Sequence, residues 1–246
     1  MDRLIYTAVS GMTSAMARQR VIASNMANTH TTGFRAETMQ FTPITLVGDS
    51  IEVRAMNLGE VHGASMHEGT VSQTGRDLDI AMSGDTLLAV QASDGAEVYT
   101  RRGDLSISAT GVLQNGDGLP VIGENGPVTV PLGVHVTLNA DGGVMAFDPA
   151  TPDQPPIQVD RLKLASWRGT RIEKDLTGQF RVRNGGVLPI NEDGRIQPGA
   201  LEGSNVSPTQ VLVEMVEAQR LYDMRAKLLS TARELDEGGA SLMRMS

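Results

Sequence analysis

Four histidines, His30, His62, His67 and His135, are the side chains of this sequence most suited to proton transfer or metal ligation. Only His62 and His67 are near neighbours. A spacing of five puts them off a shared helix face and on opposite faces of a strand, the wrong geometry for one metal. Cysteine is absent, which excludes a disulfide framework, a thiolate-ligated metal and a thiol nucleophile. Asp77 and Asp79 stand two apart and would share one strand face as paired carboxylates. Two carboxylates flanking a cleft are the apparatus of glycoside hydrolysis, but the same pair also serves as turn-forming residues at a solvated strand edge. The sequence contains no G-x-x-x-x-G-K-[ST] phosphate loop and no G-x-S-x-G, H-E-x-x-H or S-x-x-K motif. Gly116-Asp117-Gly118 with Gly123 does not make a dinucleotide fingerprint. Asn205-Val206-Ser207 formally matches a glycosylation acceptor, although Ser207 is better explained as a helix cap. The expectation is therefore no catalytic residue, no metal and no cofactor.

Composition sets the outer bounds. The chain has 246 residues, enough for one large domain or two small ones, and 40% of them are apolar. Only 3% are aromatic, and the net charge is −8, which argues against a nucleic-acid partner. No apolar run approaches the roughly 18 residues of a membrane span, so no membrane insertion is expected. Met1-Asp2-Arg3-Leu4-Ile5-Tyr6 lacks the basic and apolar regions of a cleaved signal peptide. The chain is expected to stay in the cytoplasm or to leave by a route that reads no such signal.

The elements that would position any site are helical at the two ends. Residues 2–28 contain no proline. Ile5, Ala8, Met12, Ala15, Gln19, Ile22 and Met26 recur at alternating steps of three and four, a heptad-like coiled-coil seam interrupted by Gln19. The C-terminal helix is announced by Ser207-Pro208-Thr209-Gln210: a capping serine, proline at the first helical position and glutamine at the third. Val211, Met215, Ala218, Tyr222, Leu229 and Ala232 form a second seam, interrupted by Arg225, and Gly238-Gly239 is expected to end the helix.

Between the helices the composition changes. Residues 70–206 are rich in Gly, Thr, Val and Asp. Val134-His135-Val136-Thr137-Leu138 alternates with period two, Asn139-Ala140-Asp141-Gly142-Gly143 is a turn signal, and Val144-Met145-Ala146-Phe147 follows as a partner strand. Residues 31–69 carry no strong period. The expected fold class is α+β, with long amphipathic N- and C-terminal helices flanking an all-β body. The expected divisions are a helical domain of 1–30 and 207–246, an extended linker of 31–69 and a β-rich domain of 70–206. Periodicity alone leaves open whether the helices pack within the subunit or meet other chains.

Four motifs, in order along the chain, carry a resemblance to a known family. Ala23-Ser24-Asn25-Met26-Ala27-Asn28-Thr29-His30-Thr31-Thr32-Gly33-Phe34-Arg35 resembles the N-terminal signature of the flagellar axial proteins, the rod and hook proteins of bacteria. Gly199-Ala200-Leu201-Glu202-Gly203-Ser204-Asn205-Val206, running into Met215-Val216-Glu217-Ala218-Gln219-Arg220-Leu221-Tyr222, resembles its C-terminal counterpart. Leu78-Asp79-Ile80-Ala81 and Tyr99-Thr100-Arg101-Arg102-Gly103 resemble family landmarks in the same order. Gly84-Asp85-Thr86-Leu87-Leu88 stands where distal rod and hook members carry Gly-Phe-Phe, and it resembles a proximal rod member instead.

The resemblance implies a non-enzymatic structural subunit of the periplasmic rod, the drive shaft that links motor to hook and transmits torque. It implies export through the flagellar type III apparatus without a cleaved signal, and helical assembly with other rod proteins and with copies of itself. The terminal helices would form the rod core with the β body outside. The assembly interface would then be Ile5, Ala8, Met12, Ala15, Ile22, Met26, Val211, Met215, Ala218, Tyr222 and Leu229. The family motif falls on Asn25, Asn28, Thr32, Gly33, Phe34, Leu201, Glu202, Ser204, Asn205 and Val206. Gly33 is expected to supply a left-handed turn, and Phe34 to pin the chain that follows. The alternatives are another rod subunit of the family, a peptidoglycan hydrolase working through Asp77 and Asp79, and a freestanding exported β domain.

Overall fold

The computed structural model describes residues 2–46, 54–149, 154–175 and 177–244. The side chains of residues 2–8, 40–46, 54–62, 232 and 235–244 lie outside the description. The chain opens with helix α1 (Asp2–Ala27) and closes with α2 (Pro208–Arg244). Between them run β1 (Glu37–Leu46), β2 (Arg54–Ala64), β3 (Val71–Gln73), β4 (Ile80–Met82), β5 (Thr86–Gln91), β6 (Glu97–Thr100), β7 (Ser106–Ile107), β8 (Leu113–Gln114) and β9 (Ile122–Gly123). There follow β10 (Gly126–Pro127), β11 (His135–Leu138), β12 (Gly143–Phe147), β13 (Ile157–Arg161), β14 (Leu164–Ser166), β15 (Ile172–Lys174), β16 (Phe180–Val182), β17 (Ile196–Pro198) and β18 (Ala200–Glu202).

The chain divides into two compact units. One contains residues 1–27, 37–63 and 207–246; the other contains residues 28–36 and 64–206. In the first, α1 and α2 pack along each other and β1 pairs with β2. Pro208 opens α2 as the capping pattern predicts, and the Ser207 hydroxyl accepts the Gln210 N–H at 3.5 Å. The reciprocal arm of the box does not form. The Gln210 amide donates instead to Glu214 Oε1 at 2.9 Å, so half of the cap carries the helix start. The helix then passes through Gly238-Gly239, which was expected to end it, and reaches 37 residues. An interior glycine costs a helix only about 1 kcal/mol relative to alanine, so the pair is not by itself a stop.

In the second unit, β5 explains the core. Its run Thr86-Leu87-Leu88-Ala89-Val90 is buried on both faces. Leu88 and Val90 join one cluster, with Val98, Leu113, Val121 and Val144. Leu87 and Ala89 point the other way, into a smaller cluster with Tyr99, Ala165, Phe180 and Leu188. The strand lies inside an antiparallel five-stranded sheet of order β14-β5-β6-β16-β15. A second sheet, β11-β12-β13, contains the hairpin read from the alternating residues, with Leu138 opposite Val144 and Gly142 at φ +87° in its turn. The remaining strands pair as β17-β4, β18-β3, β7-β8 and β10-β9.

The expectation of α+β architecture with two long amphipathic helices flanking one all-β body is therefore corrected. The β structure is not confined to one body, because β1 and β2 belong with the helices. Residues 31–69, expected as an extended linker, hold those two strands. Nor is α2 cleanly two-faced: Leu212, Val213, Val216, Met224 and Leu228 are all exposed. No helix among the described residues is long and apolar enough to cross a membrane.

Tyr99 shows how polar groups enter this core. Its hydroxyl donates to Glu97 Oε1 at 2.7 Å and accepts the Leu188 N–H at 2.6 Å, while Lys163 Nζ meets the other Glu97 oxygen at 2.7 Å. Burial, then the bond to Glu97, push the phenol above its ordinary range. Tyr99→Phe strands the buried Leu188 N–H. It is expected to cost about 1–3 kcal/mol, read as a lower urea midpoint at unchanged slope.

Candidate functional site

The C-terminal motif centres on Glu202. Its position in β18 opposite Val71 carries the side chain fully inside. Oε1 meets Arg35 Nη2 at 2.6 Å and accepts the Gly69 N–H at 2.7 Å. Oε2 takes Arg101 Nε at 2.8 Å and Nη2 at 2.7 Å. Each of the three guanidinium nitrogens of Arg101 has a hydrogen-bond partner. Its other bonds run from Nη1 to the carbonyls of Gly84 and Thr86, and from Nη2 to that of Met82, at 2.6–2.9 Å. Four hydrogen bonds thus reach four acceptors, with the Nη2–Oε2 ion contact beside them.

Arg35 is less well served. Nη1 donates to the His67 carbonyl, Nη2 makes its ion contact with Glu202 off the angle of a hydrogen bond, and Nε has no hydrogen-bond partner among the described residues. Burial, then the neighbouring Arg101 charge, lower the Arg35 pKa, and Glu202 opposes both. An arginine still keeps its proton under such pressure. Two enclosed guanidiniums share one enclosed carboxylate. Glu68, half exposed and 3.8 Å from Arg101, supplies more negative charge.

The rest of the motif ties three segments of the same unit together. Asn205 Oδ1 accepts the Ala36 N–H at 2.7 Å, and Nδ2 donates to the carbonyls of Ser65 and His67, both at 2.8 Å. The amide that a glycosylation acceptor would present is thus occupied. Gly33 adopts φ +67° and donates its N–H to the Glu202 carbonyl at 2.7 Å. A Cβ there would stand 2.3 Å from the Arg101 carbonyl oxygen, so the site excludes side chains by contact as well as by φ. Phe34 lies under Lys174 Nζ, 3.5 Å from the ring centroid. Asn28 Oδ1 accepts the Thr31 hydroxyl at 3.0 Å, and Ser204 Oγ accepts the Val206 N–H at 3.2 Å. Thr32 and Leu201 are half-buried and Val206 is buried. In the helical unit, Asn25 holds the Glu37 backbone at both ends, accepting its N–H at 2.8 Å and donating to its carbonyl at 3.1 Å. Arg35 and Arg101 escaped the sequence reading as site residues. Their only signal was position, beside Gly33-Phe34 and inside Tyr99–Gly103.

The helical seam residues divide. Ala15, Ile22, Val211 and Ala218 are buried. Met12, Met26, Tyr222 and Leu229 are half-buried, and Met215 is exposed. The side chains of Ile5 and Ala8 lie outside the described residues. Arg225, the interruption of the second seam, donates to the Gly11 carbonyl of α1. A different row is open: Leu212, Val216, Met224 and Leu228 are exposed at steps of four through Arg220. That row is a ridge of the kind helices pack with, and it is readable in the sequence as an i, i+4 series.

The residues first considered for chemistry are engaged elsewhere. Asp79 is buried, accepts the Thr74 hydroxyl at 2.7 Å and pairs with Arg76 at 2.7 Å. Asp77 is exposed and meets His135 Nε2 at 2.9 Å. The two carboxylates therefore face different partners and do not act as a pair. A cleft of about 610 Å³ is lined by Ser93, Asp117, Asp175, Gln179 and Arg181, among others. Its acids are paired, Asp117 with Arg102 and Asp175 with Arg181. Burial raises the Asp175 pKa, but hydrogen bonds from Thr177 and Arg181 outweigh it and hold the group below its ordinary value. Among the described residues no three His, Cys, Asp or Glu side chains form a metal-binding group. The side chain of His62 is outside the description.

Glu202→Gln would leave two buried guanidiniums with only the half-exposed Glu68 as counter-charge. It is expected to destabilise the unit of residues 28–36 and 64–206 by about 3–5 kcal/mol. Asn205→Ala would remove three hydrogen bonds and cost about 1–3 kcal/mol. Thermal unfolding followed at Trp167 distinguishes the two, with the larger drop expected for Glu202→Gln.

Known proteins share these features. Residues 5–35 match the family described as flagella basal body rod protein. Residues 81–146 match the FlgE/F/G D1 domain of the flagellar hook protein family, and residues 197–242 the C-terminal part of the flagellar basal body rod FlgEFG proteins. The chain is 38% identical over 252 residues to the flagellar basal-body rod protein FlgF of Salmonella typhimurium, an alignment covering the whole of both chains. Identity to FlgF of Escherichia coli K12 is 36%, again over the whole of both. FlgG of Bacillus subtilis is 29% identical over 258 residues, with 96% of this chain and 97% of that protein covered. By full-length identity, and by the position of its signature residues at both ends, the chain belongs to the FlgF family of flagellar basal-body rod proteins.

Proposed function

We propose that this chain is a structural subunit of the proximal rod, incorporated through its two terminal helices beside other rod proteins and copies of itself. Membership of the FlgF family, over the full length of both chains, is the observation that carries this reading. In this reading the subunit reaches the periplasm through the flagellar export apparatus without a cleaved signal, and its work is to transmit torque, not to catalyse. The engagement of Asp79 by Thr74 and Arg76 supports the last point, because a carboxylate so held is poorly placed to exchange protons with a substrate.

The helices supply the means of incorporation. Ala15, Ile22, Val211 and Ala218 are buried within the subunit, where the two helices pack along each other. Val9, Met16, Met215 and the row Leu212, Val216, Met224, Leu228 leave apolar surface for neighbours. A head-to-tail contact that does not close on itself generates a helical assembly.

Leu228→Asp or Met215→Asp would bury an unpaired carboxylate at such a contact. Each is expected to reduce incorporation tenfold or more while leaving the thermal transition of the other unit unchanged. A mass-spectrometric inventory of purified hook–basal bodies reads the first quantity, and calorimetry reads the second. Wild-type levels of both variants in the particle would overturn the assignment of this face. Absence of the unaltered chain from particles that contain the other rod proteins would overturn the function.

A further inference from the structure

The sulfur chemistry of this chain is unusually one-sided. It has 13 methionines and no cysteine, so every sulfur is a thioether. The described methionines differ sharply in access. Met224 is 59% exposed, Met16 47% and Met215 40%, whereas Met82 in β4 is 2% exposed. Met224 stands on the open row of α2, four residues from Arg220 and four from Leu228. Among the described residues, the three exposed thioethers lie on the helices, and none lies in the packed core of the other unit.

We propose that Met224, with Met16 and Met215 beside it in reactivity, is a reversible oxidation site that switches the helical face between an assembling and a non-assembling state. The consequence for assembly rests on the function proposed above; the reactivity does not. The oxidant is a hydroperoxide. The thioether sulfur attacks the distal peroxide oxygen, the O–O bond breaks, and an S=O bond forms. With hydrogen peroxide, water leaves; the sulfur is oxidised by two electrons and the peroxide is reduced by two. The product is polar and chiral where an apolar, adaptable side chain stood. Buried in a contact between helices, the sulfoxide oxygen would need a donor that the aliphatic neighbour Leu228 cannot provide. Reduction by the two sulfoxide reductases, one for each epimer, restores the thioether. The same surface is reactive while the subunit is free and shielded once another chain covers it.

The test uses the full-length chain. Graded hydrogen peroxide is followed by peptide mapping of sulfoxide at each methionine. Met224, Met16 and Met215 are expected to oxidise at least fivefold faster than Met82. Equal rates at Met224 and Met82 would overturn the site. The chain is then expressed in cells lacking the chromosomal copy, without peroxide and under peroxide stress with and without the reductases, and incorporation into hook–basal bodies is counted. Peroxide is expected to lower incorporation at least fivefold, the reductases to restore it, and Met224→Leu to keep most of it. A Met224→Leu chain as sensitive as the wild type would overturn the switch at this residue. If the untreated chain never enters the particle, the proposed function fails and the switch with it, while the mapped rates still decide the oxidation site.

Discussion

The structure of the larger unit depends on a carboxylate with no access to water. Glu202 is enclosed between Arg35 and Arg101, and the three come from distant parts of the chain. A charge in that setting is tolerable only when paired and hydrogen-bonded. The cluster meets this requirement by using Arg101 twice. One edge of the guanidinium grips Glu202, and the other caps the carbonyls of Met82, Gly84 and Thr86, the stretch that leads from β4 into β5. Strand β5 of the five-stranded sheet is thereby tied to the motif at the end of the body. Gly33 and Gly69 bring backbone N–H groups to the same residue, and Gly33 does so at a position where a Cβ would collide with the Arg101 backbone.

Asn205 extends the same logic with neutral groups. Its side chain bonds to Ala36, Ser65 and His67, which lie on the segments where the chain enters and leaves that unit. The covalent passages between the two units follow residues 27, 36, 63 and 206. The Asn205 bonds hold the ends of three of these four passages, after residues 36, 63 and 206, in one place without relying on any group in the helical unit. The motif residues Glu202 and Asn205 thus do related work, one by charge and one by amide geometry.

What the sequence disclosed was local. The start of α2 at Pro208, the turn of Asn139–Gly143 with its flanking strands, and the left-handed Gly33 each depend on a few adjacent residues, and each was readable. The Arg35–Glu202–Arg101 cluster depends on contacts across more than a hundred residues, and nothing in the spacing of charges distinguishes these arginines from solvated ones. Strands β1 and β2 were missed because residues 31–69 lack the alternation by which a half-buried strand announces itself. The helical seams were read from three- and four-residue steps, and the same periodicity gave no sign that Arg225 would serve a carbonyl of the opposite helix. Asp77 and Asp79 looked paired because strand spacing alone would pair them. Arg76 and Thr74 claim one, and His135 the other.

The two units treat their unsatisfied surface differently, and this bears on how a subunit of this kind can work. In the larger unit, buried charges have counter-charges, and its apolar clusters close around β5 from both faces. Its stability is therefore set within the subunit. The helical unit buries part of its apolar content and leaves a ridge on α2, where low intrinsic amphipathicity gives an isolated helix little reason to persist. Such a division lets the energy of association be drawn from the helices while the body keeps its fold whether or not a neighbour is present. It also confines chemical vulnerability. The exposed sulfurs among the described residues stand on the helices, and the core that maintains the fold holds its methionine, Met82, out of reach.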